Sequence, residues 1–299
     1  LLCLPLIGCG GKVYVRSNTN EAELRERGVD DETVLLAGEL VDANNGTAAM
    51  DVLIDWFRDP AHQRHESRPE ALFIAANALA SQGRTSRAFY YLDELLDTYP
   101  GSTLWRPAVQ RQYDLADAVL DRERPAIGIG RGTSYFDALE MLFRIQQRIP
   151  GSNVAKEALL RTADFYFDNG DYDFAEDAYT VFLEGYPRSD EVPRVRRRQA
   201  WSNLLQYKGP KYDPTPLLDA QAQFQDLRDA GEAEGPAVER ALAYIEQQFI
   251  EKAELQAAWY ERTRRPEAAD RILAESRARY EPAGFEEAQQ PVRVPVVED

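Results

Sequence analysis

Three stretches of the chain close in the same way: FYYLDELLDTYPGS ends at residue 102, LEMLFRIQQRIPGS at residue 152 and AYTVFLEGYPRS at residue 189. In each, an alanine stands twelve residues before the proline: Ala88 and Pro100, Ala138 and Pro150, Ala175 and Pro187. A large residue follows each alanine by one helical turn, at Leu92, Leu142 and Tyr179, so small and large side chains share one helix face. Proline cannot continue a helix, and it ends each of these. The step also runs backwards, from Ala76 to Ala88 and from Ala163 to Ala175, with Gly83 and Gly170 five residues before the second alanine. Two helices brought close by small residues and joined by a left-handed glycine turn make a helical hairpin.

This spacing resembles the tetratricopeptide repeat, whose unit carries the same small residues, an alanine-to-large step and a terminal proline. Residues 69–102 and 156–189 are its best copies. Ala257 to Ala269, with Leu273 following, is a looser copy, and Ala37 to Ala49, with Leu53 and Trp56, is a faint first one. Two middle units carry inserts at the turn, because Ala116 and Ala138 lie 22 residues apart and Ala200 and Ala220 lie 20 apart. The inserts are residues 121–133 and 207–216, kept out of the helices by glycine and proline. Single hairpins cannot bury their apolar faces, so the expected fold is all-α, a right-handed α-solenoid of about five hairpins over residues 31–281 with a concave side lined by first helices. Residues 282–299 lose the periodicity and read as a flexible tail or a segment that orders on a partner.

Composition agrees with a folded body, since 44% of the 299 residues are hydrophobic and 10% aromatic. The formal charge of −16 argues against nucleic acid as a partner, which needs clustered positive charge. The run Arg194, Arg196, Arg197 and Arg198 reads as a solvated helix end. Both cysteines, Cys3 and Cys9, lie in the opening stretch LLCLPLIGCGGK, so the rest of the chain has no thiol for a disulfide or a metal.

That opening stretch is apolar and ends at a small residue and a cysteine. Residues 1–8 fit the second half of a secretory signal peptide. Leu6-Ile7-Gly8-Cys9 resembles the bacterial lipobox, which implies acylation of Cys9, a lipid anchor and a linker over residues 9–30. By resemblance to the sorting rule of enterobacterial lipoproteins, Gly10 in place of aspartate implies export to the outer membrane.

Convergent chemistry is sparse. His62 and His65 could share a helical face, but Pro60 and Pro69 bracket them and neither a third histidine nor a nearby cysteine completes a metal site, so they read as a solvated loop. GIGRG at 128–132 lacks the strand and lysine of a phosphate cradle. Asp171 and Asp173 lie in a tight turn, where aspartates cap the following helix. The expectation is no catalytic residue, no metal and no cofactor.

The lipobox, the YP-x-S endings, DFYFDNGDYDFAEDAYTVFLEGYP and the late segment FIEKAELQAAWYERTRRPEAADRILAESRARY together resemble the BamD family, the lipoprotein component of the β-barrel assembly machinery. The likeness covers about residues 65–281. At the last hairpin turn the family's glycine is replaced around Arg264 and Arg265. The resemblance implies a scaffold on the periplasmic face of the outer membrane, binding the barrel-inserting subunit through its C-terminal repeats and unfolded barrel proteins through its N-terminal ones. Phe73, Asn77, Asp164 and Phe167, on the first helices of the two clear repeats, are the candidate partner contacts. Two other readings share the repeats: a periplasmic adaptor for cell-wall processes, and an accessory subunit of an envelope enzyme.

Overall fold

A computed structural model describes residues 21–26, 28–122, 134–232 and 236–280. The signal remnant, Cys9, residues 123–133 of the first insert and the 282–299 tail lie outside the described residues. All regular structure among the described residues is helical. A short α1 (Glu21–Glu26) is followed by six helix pairs: α2 (Glu32–Asp42) with α3 (Gly46–Arg58), α4 (Arg68–Ser81) with α5 (Thr85–Thr98), and α6 (Trp105–Arg122) with α7 (Ser134–Arg148). Then come α8 (Asn153–Asn169) with α9 (Tyr172–Gly185), α10 (Val192–Gln206) with α11 (Thr215–Asp229), and α12 (Pro236–Arg262) with α13 (Pro266–Tyr280). Contacts divide the chain into two compact units, one ending at Ala158 and the other beginning at Leu159. No described helix is long and apolar enough to cross a membrane.

The sequence spacing maps directly onto the hairpins. Ala76, Ala88, Ala138, Ala163 and Ala175 are all fully buried, as expected of residues that let helix axes approach. Gly83 and Gly170 hold φ of +75° and +82° in the turns, where an L side chain is strained. Helices α5, α7 and α9 each stop two residues before Pro100, Pro150 or Pro187.

Six pairs exceed the expected five because the faint copy at Ala37–Ala49 is a full hairpin. Asp31 caps the start of α2 by accepting from the Thr33 and Val34 amides, Asn45 caps the start of α3 by accepting from Ala48, and α3 stops two residues before Pro60, as α5, α7 and α9 do before theirs. At Gly46 a Cβ would sit 2.4 Å from Ser81 Oγ and 2.5 Å from Ala78 O, so only glycine allows α3 to meet the end of α4. Residues 21–26, expected in the linker, are helical, with Leu24 fully buried.

Three other expectations need correction. His62 and His65 are not a solvated loop. The His62 ring stacks on Trp56 at 4.4 Å, His65 meets Trp56 edge-on at 5.7 Å, and Trp56 Nε1 donates to Asp31 Oδ2 at 2.9 Å. Aromatic burial and this hydrogen bond join the residues around α2, α3 and α4. Asp171 takes the N-cap position of α9 without capping it, because its carboxylate accepts instead from Asn169 Nδ2. The run at 194–198 is not all solvated either, for reasons given below.

Candidate functional site

In the first unit, α4 carries Phe73 and, one turn later on the same face, Asn77. Phe73 is half-buried, and Asn77 is 5% exposed. Asn77 Oδ1 accepts from Nε of Arg111 on α6 at 2.8 Å, while the buried Asn77 Nδ2 has no acceptor. Burial lowers the pKa of Arg111, against a smaller opposing pull from Asp114. Among the described residues its guanidinium forms no ion pair.

The second helices of this unit are clamped around Asp93 of α5. Its Oδ1 accepts from Gln112 Nε2 and from Arg148 Nη1, each at 2.8 Å, and its Oδ2 accepts from Arg144 Nη1 at 2.9 Å. The hydrogen bond that Arg144 donates to Glu140 raises the Arg144 pKa, and the Asp93 charge adds to it against partial desolvation. Ser86 Oγ also reaches from α5 to Asp137 Oδ2 on α7 at 2.7 Å. Beside this clamp Tyr90, Phe136 and Phe143 stand 62%, 62% and 56% exposed.

In the second unit the corresponding polar centre is Asp164 on α8. Its Oδ1 accepts from Tyr179 Oη on α9 at 2.7 Å and from Arg198 Nη1 on α10 at 3.1 Å. Arg194 binds it with both Nη atoms, Nη1 to Oδ1 at 3.2 Å and Nη2 to Oδ2 at 3.0 Å. The Arg198 guanidinium lies 5.0 Å over the ring of Phe167 and reaches Asp168 Oδ1 at 3.4 Å. Burial pushes the Tyr179 hydroxyl well above the ordinary tyrosine range, and the Asp164 charge adds to that shift. Burial also disfavours the charged form of Arg194, but the Asp164 and Glu191 carboxylates outweigh it, and its pKa is raised. Arg194 and Arg198 are therefore structural ion-pair partners; Arg196, facing outward, meets Glu232 at 3.5 Å.

Thus Asp164 and Phe167 join one cluster, and Phe73 and Asn77 share another face with Arg111. Arg111, the hydrogen bond of Tyr179 and the ion pairs of Arg194 and Arg198 were not expected from the sequence. One signal was available: Asn77 and Arg111 are 34 residues apart, as are Asp164 and Arg198, one repeat length in each case.

The second insert is ordered. Lys252 Nζ on α12 donates to the carbonyls of Pro210 and Tyr212 at 3.1 and 2.9 Å, and Gly209 turns the loop with φ +114°. Tyr212 thereby flanks an open cleft of about 520 Å³, lined also by Tyr172, Asp173, Leu205, Lys208 and Asp213. Among the described residues no group of three or more His, Cys, Asp or Glu is placed to hold a metal ion. The chemistry of both units is that of ion pairs, amides and aromatic rings.

Two segments, 70–102 and 157–189, match the family model of the tetratricopeptide repeat. They lie in the α4/α5 and α8/α9 hairpins, each starting one residue after the boundary read from the spacing. No curated protein matches the chain. Among solved structures similar to it is a tetratricopeptide repeat protein from Parabacteroides merdae, 17% identical, covering 86% of this chain and 89% of that one with a TM-score of 0.29. The repeats imply a body for protein–protein interaction.

Proposed function

We propose that the chain is a non-catalytic adaptor whose helical hairpins bind protein partners, and that it serves as a lipid-anchored scaffold of the outer-membrane β-barrel assembly machinery. The observation that carries partner binding is a tetratricopeptide hairpin, α4 with α5, that bears Tyr90 beside the Asp93 clamp: an aromatic left largely exposed on a well-tied support. Such residues are enriched where partners dock, because they offer large area at low entropic cost.

The assembly role rests on resemblance. It is supported by Leu6-Ile7-Gly8-Cys9, by the 156–189 repeat and by the late segment 249–280, which forms the end of α12 and all of α13. There Leu255 and Trp259 are 41% and 50% exposed. Arg262, Arg264 and Arg265 follow closely in an otherwise acidic chain, so this hairpin offers apolar and basic contacts to the barrel-inserting subunit.

Affinity capture from detergent-solubilised envelopes tests the role: the barrel-inserting subunit is expected to co-purify, and Trp259→Ala to reduce its recovery. Recovery of cell-wall enzymes alone would favour the adaptor reading and overturn this one. Mass spectrometry of the mature N-terminus is expected to show an acylated Cys9.

A further inference from the structure

Asn77 and Asp164 occupy the same place in two repeats. Each follows a buried alanine of the first helix, Ala76 or Ala163, and each receives an arginine 34 residues on. In the second unit the residue is a carboxylate, and Arg198 spends Nη1 on it while Arg194 adds two further bonds. In the first unit it is an amide. Arg111 uses only Nε there, and among the described residues neither Nη group has a hydrogen-bond partner or a carboxylate within ion-pair distance. The nearest carboxylate along its helix, Asp114, is held by Gln110 Nε2 at 3.1 Å. The Asn77 amide adds a second unmet donor, Nδ2, on a side chain that is 95% buried by its 5% exposure.

A buried donor left unmet, as Asn77 Nδ2 is, is costly unless a ligand satisfies it, and the Arg111 Nη groups, which are not buried, are open to an incoming acceptor. The geometry points to a binding subsite in the first unit, formed by Arg111 and Asn77, for the side-chain carboxylate of an acidic residue in an extended partner segment. The molecule itself names the ligand class, because the second unit fills the equivalent position with the carboxylate of Asp164. A guanidinium with both Nη groups free suits a planar two-oxygen acceptor. Phe73, one turn from Asn77 and only half-buried, lies beside it as the contact for an apolar neighbour of that acidic residue. This subsite rests on the reading of the hairpins as a partner-binding body and gives that reading a chemical preference.

The test uses the full chain with isotope-labelled arginine and three peptides built on Ser-Leu-Glu-Leu-Ser. One is acetylated and amidated, one carries Gln for Glu, and one carries Gln with a free C-terminus. The Glu peptide is expected to shift the Arg111 Nε resonance and to bind at least about tenfold more tightly than its Gln amide, the scale of one charge-assisted hydrogen bond. Asn77→Asp, which supplies an internal carboxylate as Asp164 does, is expected to keep or raise the melting temperature and to abolish the Glu preference. Arg111→Gln should abolish it too. Equal effects of the Glu and Gln amides, a stronger effect of the free terminus, or a Glu preference that survives in Asn77→Asp would each overturn the subsite. Envelope capture is a separate readout, so failure there with success here would sink only the assembly role.

Discussion

Asp164 shows how much depends on one side chain. It accepts from Tyr179, Arg194 and Arg198, so truncating it leaves a buried phenol without its acceptor and two part-buried guanidinium groups with one carboxylate each, Glu191 for Arg194 and Asp168 for Arg198. Asp164→Ala is expected to cost about 2–3 kcal/mol, read as a lower urea midpoint, because charge-assisted hydrogen bonds are lost and the buried phenol is left without an acceptor. Tyr179→Phe, losing one hydrogen bond of a fully buried ring, should cost nearer ~1 kcal/mol. The same residue predicts a pH response. Burial and Asp164 keep the folded-state hydroxyl protonated above the pH at which an unfolded tyrosine ionises. Above about pH 10 the unfolded chain therefore binds fewer protons than the native one, and stability falls as pH rises, by up to ~1.4 kcal/mol per unit for this group. Tyr179→Phe should remove one proton's worth of that slope in alkaline urea titrations; an unchanged slope would refute the assignment. Asp164 was legible because the repeat register placed it on a first helix. Its arginines were not, because which charges meet depends on how neighbouring hairpins pack, and a basic run looks the same whether solvated or paired.

Turns decide the hairpins. Gly83 and Gly170 meet the positive φ their turns require, but Arg264 makes the corresponding turn between α12 and α13 with φ +61°. An L-residue's Cβ at this φ is strained by about 1–2 kcal/mol, partly offset by the extra freedom glycine brings to the unfolded chain. Arg264→Gly is therefore expected to stabilise the chain by roughly 0.5–1 kcal/mol, visible as a higher melting temperature; destabilisation would mean that the arginine makes a contact outweighing its strain. The hairpins were readable from sequence because alanine, glycine and proline act locally: each dictates closeness, handedness or termination within one turn. Less readable were the 27-residue α12, whose extra length has no punctuating residue, and the first pair, whose step from Ala49 to Pro60 is 11 residues and so falls out of the twelve-residue register. The order in the 207–214 loop was hidden for another reason. Its anchor, Lys252, lies about 40 residues away in sequence, a partner no local pattern announces.

A molecule built of hairpins distributes its stability unevenly, since each element rests only on its neighbours. In the second unit the principal core gathers Trp201, Leu204, Leu217, Phe224, Leu242 and Ile245 from α10, α11 and the first half of α12. Helix α13 contributes far less. It buries Ala269 and Ser276, the latter with an unpartnered hydroxyl, and is held further by Tyr280 stacked 5.0 Å from Phe249. Few buried apolar contacts mean that local opening there needs less free energy than global unfolding. Hydrogen exchange is expected to place the amides of α13 and the second half of α12 at least about 2 kcal/mol below those of α10 and α11. Uniform protection across 192–280 would contradict this. The same weakness gives the proposed role a signature, because a partner seated on Leu255 and Trp259 would stabilise only the state in which this hairpin is formed. Adding the barrel-inserting subunit should therefore slow exchange selectively in α13 and the end of α12 and leave α10 and α11 unchanged. A subunit that binds without altering exchange there would have to engage another face of the molecule.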